Sequence, residues 1–176
     1  VKLNYQHFKD STTLTVLADP RFELTPDVDK VLFKYQKTVD FQVQKLAGIL
    51  TLIDTKLNKI DSLFNLISQA ESMNYIIHLN TIRTLKSNLR IIRSKGQTPK
   101  PVRQLGAWQT SIVSPYSKIN DVLMIAKART RLPSEYEWLL LKEATNSVGM
   151  FEEEVHLWIE KEWIPFIEIL KKSGLN

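Results

Sequence analysis

A chain of 176 residues with 43% hydrophobic and 24% charged side chains is long enough for one domain with a real core, and too apolar for wholesale disorder. It has no cysteine, which excludes disulfides, thiolate metal sites and a cysteine nucleophile. The net charge of +5 is spread unevenly: residues 1–71 balance nine acids with nine bases, residues 72–133 set eleven bases against Asp121 alone, and residues 134–176 carry nine glutamates and four lysines. The simplest reading is that the basic and acidic segments pack as neighbouring helices whose fields compensate.

The chain opens Val1-Lys2-Leu3-Asn4, without an initiator Met or a signal peptide, and reads as a fragment or processed chain. Residues 1–18 have β character. A first strand is predicted near Leu3–Phe8, a turn at Lys9-Asp10-Ser11-Thr12, and a second strand through Leu14 and Val16. Two strands alone are marginal in water, so residues 1–24 read as the remnant of a preceding β domain and residues 25–176 as a helical domain.

Thr25-Pro26-Asp27-Val28-Asp29 is a strong helix start, with a capping hydroxyl, a proline at the first helical position and acids at the positive end of the dipole. From there Val28, Leu32, Tyr35, Val39, Val43, Leu46, Leu50, Ile53, Leu57, Ile60, Phe64 and Ile67 recur in steps of three and four. A repeat of about 3.5 residues keeps one stripe of a helix against a partner. The expected helix runs from Pro26 to about Ser72, ~70 Å at 1.5 Å per residue. Its consecutive four-residue steps at Val39 and Val43 form a stutter that locally relaxes the supercoil.

A second helix is expected over Asn74–Ser94, with Ile76, Leu79, Ile82, Leu85, Leu89 and Ile92 inward. Gly96–Gly106 reads as the main loop, pinned by Trp108, Ile112 and Val113. A third helix follows Ser114-Pro115, with Tyr116, Ile119, Val122, Leu123 and Ile125 on its apolar face, and ends near Ala128. A fourth begins at a Ser134 cap and buries Trp138, Leu141, Val148, Phe151, Val155, Trp158 and Ile159. Pro165 kinks or restarts it, and Gly174 stops it. The fold class is mainly α: an antiparallel three- to four-helix bundle on one long heptad helix, preceded by a short β-hairpin.

No residue pattern names a reaction. His7, His78 and His156 have no ligand spacing around them, and His-Glu-x-x-His, Gly-x-Ser-x-Gly and Gly-rich phosphate loops are absent. No catalytic residue, metal ligand or cofactor is assigned. Glu152-Glu153-Glu154 reads as a structural acidic run rather than a metal site, and Trp138, Trp158 and Trp163 as core. Arg83, Lys86, Arg90 and Arg93 step by three, four and three, so they share one helix face. That face is either solvated, paired to the Glu-rich fourth helix, or an anion-binding stripe. The lack of interleaved aromatics argues against single-stranded nucleic acid. Val28, Leu32, Tyr35, Val39 and Val43 are the candidate partner-binding residues, because the later helices offer apolar cover mainly for the far half of the stripe.

The order of features also carries a resemblance. A β segment runs into Asp19-Pro20-Arg21, the heptad helix follows, then Pro115-Tyr116-Ser117-Lys118-Ile119-Asn120-Asp121-Val122-Leu123, then Pro133-Ser134. The chain closes on Glu162-Trp163-Ile164-Pro165-Phe166-Ile167-Glu168-Ile169-Leu170 and Gly174-Leu175. This resembles the C-terminal region of bacterial sortilin-like proteins, secreted chains of BNR-repeat β-propellers. The resemblance implies a non-catalytic helical packing or docking module, in a parent exported to the periplasm or surface of a Gram-negative bacterium, whose partner is its own propeller or a cell-surface subunit. The rival readings are a coiled-coil adaptor for a partner helix and an anion or nucleic-acid binder.

Overall fold

The computed structural model describes residues 2–5, 8–13, 26–69, 73–97, 103–104, 107–108, 113–128 and 131–173. The chain is mainly helical. Strands β1 (Lys2–Tyr5) and β2 (Phe8–Ser11) pair antiparallel, with Tyr5 opposite Phe8 and Lys2 opposite Ser11. In this register Lys9, Asp10 and Ser11 pair with Asn4, Leu3 and Lys2. That corrects the expected turn at Lys9–Thr12, most of which lies inside β2; the expected strand through Leu14 and Val16 falls outside the described residues.

Helix α1 spans Pro26–Ser68 and α2 spans Met73–Gly96. The first helix ends earlier than expected although no glycine or proline stops it. Its apolar stripe ends at Ile67, and the next positions in the repeat are Glu71 and Asn74. Prolonging the helix would set polar side chains against its packing partners. Ser68 Oγ donates to the Asn65 carbonyl at 3.0 Å, and the Gln69 amide bonds the same oxygen at 3.3 Å, which closes the last turn.

Strands β3 (Arg103–Gln104), inside the expected loop, and β4 (Ala107–Trp108), just past its end, form a short antiparallel pair. Val113, expected to pin that loop, is 68% exposed instead, and Ile112 lies outside the described residues. Helix α3 (Pro115–Lys127) begins with a reciprocal cap: the Ser117 amide donates to Ser114 Oγ at 3.1 Å, and the Ser114 amide to Ser117 Oγ at 2.9 Å. Helix α4 (Glu135–Trp158) repeats the device. The Ser134 amide donates to Glu137 Oε2 at 2.6 Å, and the Glu137 amide to Ser134 Oγ at 3.3 Å.

A π-helical turn (Ile159–Trp163) joins α4 to α5 (Ile164–Lys172). Pro165 explains it. Proline has no amide to give a carbonyl four residues back, and its ring crowds that carbonyl. Widening the preceding turn lets the Ile164 amide bond Ile159 instead, so the rod passes the proline without breaking.

Specific contacts set the directions of the helices. Asp54 and Asp61 of α1 pair with Arg93 and Lys86, so α2 runs antiparallel to α1. Tyr35 meets Trp138, Lys45 meets Glu152, and Lys56 lies over Trp163, so α4 and its extension run parallel to α1. Contacts of α3 with α1 and α4 complete the cover. Every apolar stripe position of α1 is buried or half-buried; Tyr35, Val39, Ile53, Ile60 and Ile67 are within 1% of full burial. At roughly 1.5–3 kcal/mol per fully buried large apolar side chain, burial of this stripe is a major stabilising contribution.

Gly96 ends α2 at a point of close approach. A Cβ there would strike the Phe151 ring of α4 and come within 3.2 Å of Leu50 of α1. Only a glycine lets the three helices converge at this level.

Candidate functional site

The α2 cationic face is the most chemically specific feature among the described residues, and the structure sorts its members. Arg93 makes a two-pronged contact with Asp54, Nε to Oδ1 at 2.6 Å and Nη2 to Oδ2 at 3.1 Å, and Nη1 donates to Gln97 Oε1 at 2.9 Å. This hydrogen bonding, with the guanidinium charge, holds the Asp54 carboxyl below its usual range against a smaller opposing effect of burial. The Arg93 guanidinium is raised by the same hydrogen bond. Lys86 pairs with Asp61. Arg83 lies 5.6 Å from the centre of the Phe64 ring and donates to Asn80 Oδ1 at 3.2 Å.

One antiparallel register accounts for all three. Each step back along α2, from Arg93 to Lys86 to Arg83, matches an equal step forward along α1, from Asp54 to Asp61 to Phe64. The same register puts Leu57 opposite Arg90. Arg90 is exposed and has no ion pair or hydrogen bond among the described residues.

Of the alternatives for this face, pairing with the Glu-rich helix does not describe Lys86 and Arg93. Lys95 pairs with Glu154, and Asn88 donates to Glu162 Oε2 at 3.1 Å, but Lys86 and Arg93 turn to α1. The reason is proximity: a stripe flanking the α1–α2 seam reaches acids flanking the same seam on α1. Asp54 and Asp61, missed as site residues, had a readable signal. They are seven apart, as are Lys86 and Arg93, with opposite sign.

Two depressions border the face. One, of about 600 Å³, is lined by Asp54, Leu57, Asn58, Asp61 and the facing cations. The other, of about 420 Å³, is lined by Arg83, Lys86, Ser87, Arg90, Ile91 and Ser94 and contains no carboxylate.

The candidate partner-binding residues divide. Tyr35 and Val39 are buried: Trp138 packs edge-on against the Tyr35 ring at 5.0 Å, and Tyr35 Oη donates to the Glu137 carbonyl at 3.3 Å. Val28, Leu32 and Val43 are half-buried. Val43 instead joins Leu46, Ala47 and Leu50 in an apolar groove of about 210 Å³ against Tyr116, Ile119, Asn120 and Leu123 of α3. This groove, too, was not foreseen from the sequence.

Among the described residues no group of three or more His, Asp or Glu side chains is arranged to hold a metal ion, and no helix is long and apolar enough to cross a membrane. No protein-family model, curated protein or solved structure matches the chain.

Proposed function

We propose that this chain is a non-catalytic helical packing and docking module at the C-terminus of a larger secreted or cell-surface protein of the sortilin-like propeller type. The observation that carries the reading is the cover of the α1 stripe. A helix of this length, with its stripe closed by α2, α3 and α4 of the same chain, is the spine of an antiparallel helical bundle rather than an open zipper strand. The side chains around that spine are spent on interhelical pairing, which suits a structural role.

In this reading the half-buried Val28 and Leu32, at the N-terminal end of α1, are the stripe residues left to touch the preceding β domain. The β1–β2 pair would be the last piece of that domain. Asp19-Pro20-Arg21 and the closing Trp163–Leu170 segment support the family assignment by resemblance, with export to the periplasm or cell surface of a Gram-negative bacterium implied by it.

The test is the oligomeric state of the 176-residue chain. Light scattering should report a monomer, with a urea midpoint independent of protein concentration; a midpoint that climbs with concentration would favour an obligate oligomer and the rival adaptor reading. Sequencing upstream of Val1 tests the family. Asp-box propeller repeats are expected there, and a signal peptide directly upstream would refute it.

A further inference from the structure

We propose that α2 carries a discrete site for one phosphate-type oxyanion, held by Arg83, Lys86, Ser87 and Arg90. The four residues stand at i, i+3, i+4 and i+7, which makes them a contiguous patch on a helix. Lys86 and Ser87 sit midway, one turn from each arginine. Helical side chains lean toward the N-terminus, so Arg90 reaches back over Lys86 and Ser87. These four side chains, with Ile91 and Ser94, line the carboxylate-free depression of about 420 Å³.

The partners already made leave this patch its charge. Asp61 neutralises Lys86 and holds it in place. Arg83 is steadied by Phe64 and Asn80, neither of which carries charge. Arg90 stands opposite Leu57 in the register and shares the neighbouring depression with Asp54 and Asp61, but it pairs with neither, and neither it nor the Ser87 hydroxyl has a hydrogen-bond partner among the described residues. Two guanidinium groups therefore stand beside the Ser87 hydroxyl without an ion pair among the described residues, since Asp54 and Asp61 are taken by Arg93 and Lys86. That is the complement of a doubly charged tetrahedral anion such as phosphate, sulfate or a phosphate monoester.

The neighbouring depression argues against a long polyanion. A polymer tracking the whole stripe would pass Asp54 and Asp61, whose charges oppose it. Among the described residues, the lining of this depression holds no aromatic side chain, so a single nucleic-acid strand would find charge without a platform there.

The test is a titration of the 176-residue chain with inorganic phosphate, read from amide chemical shifts, with sodium chloride matching the ionic strength. Saturable shifts centred on residues 83–94 are expected, with a dissociation constant in the millimolar range. Arg90→Gln should weaken binding about tenfold, the loss of one charge-assisted contact. Asn58→Asp, which keeps every cation but sets a carboxylate in the groove beside Arg90, should weaken it too. Both positions are exposed, and unchanged far-UV spectra would show that both variants fold.

Flotation with phosphatidylcholine vesicles containing phosphatidic acid separates the two sources of this chemistry. Flotation lost in Arg90→Gln assigns a lipid headgroup, and phosphate binding without flotation assigns a soluble anion. Equal shifts with chloride alone, or binding unchanged in both variants, would overturn the site. Binding of a short single-stranded oligonucleotide without any response to phosphate would also overturn it, in favour of a polymer-binding stripe.

Discussion

The two halves of α1 present the same apolar stripe and are held in different ways. Beyond Leu50 the helix is registered by charge: Asp54 on Arg93, Asp61 on Lys86, and Phe64 under Arg83 fix one antiparallel alignment with α2. Before Leu50 a single cross-helix ion pair is present among the described residues, Lys45 with Glu152 at 2.6 Å, and alignment rests on the Tyr35–Trp138 contact and the α4 cap. The near half also carries an apolar groove, a buried Gln42 whose Oε1 has no hydrogen-bond partner among the described residues, and exposed Phe33 and Phe41. Apolar burial alone gives affinity between helices without much choice of register. Paired charges supply that choice where they exist, and the near half relies on shape.

The sharpest way to break the comparison is to cut equivalent stripe residues. Ile53 is fully buried in the charge-registered half, and Ile53→Ala should cost about 4 kcal/mol. Leu46 borders the groove against α3, where packing is already incomplete, so Leu46→Ala should cost about 2 kcal/mol. Urea denaturation of both variants measures the gap, and equal losses would show that the halves are packed alike.

Where the halves meet, Gly96→Ala should destabilise by about 2 kcal/mol, because the added methyl strikes the Phe151 ring. A neutral result would mean that α2 can withdraw at its end without disturbing α4. Within the near half, Gln42→Met keeps the side-chain volume and removes the unsatisfied amide oxygen. A gain of about 1 kcal/mol is expected. A loss would reveal that the amide has a role in aligning the near half that its hydrogen bonding does not show.

How much of this was legible follows the same division. The stripe was readable because helical periodicity depends on nothing beyond the helix itself, and Ser134 and Pro115 marked helix starts through local chemistry. The end of α1 was misplaced because no glycine or proline marks it; the signal is the turn of the repeat from Ile67 to the polar Glu71 and Asn74. The π-turn before Pro165 was half legible: the proline announced a disturbance, while its resolution by a widened turn depended on α4 and α5 continuing along one partner. The cations of α2 were readable as a stripe. Their sorting into paired Lys86 and Arg93, steadied Arg83 and unpaired Arg90 was hidden until the α1–α2 register was known. The burial of Tyr35 and Val39 was missed because their cover, Trp138 and its neighbours, comes from a helix about a hundred residues away in sequence, as the Tyr35–Glu137 bond shows with a separation of 102.

The smallest expected effect tests whether charge sets the register at all. Asp54 and Arg93 are both partly exposed, so Asp54→Asn should cost no more than about 1 kcal/mol at neutral pH. The sign of its pH dependence is determined by the lowered folded-state pKa of Asp54. In the unfolded chain the carboxyl titrates near 3.8; in the fold it titrates lower, so the pair contributes fully above that value. The contribution fades as pH falls through the folded-state pKa. The raised Arg93 guanidinium works in the opposite sense, its share present throughout the working range and lost only in strong alkali. The urea midpoints of the parent and Asp54→Asn should therefore stay apart from pH 7 down to about pH 4 and converge below it. A gap that persists unchanged under strong acid would mean the pair acts through shape or neutral hydrogen bonding. The far half of α1 would then be aligned in the same manner as the near half.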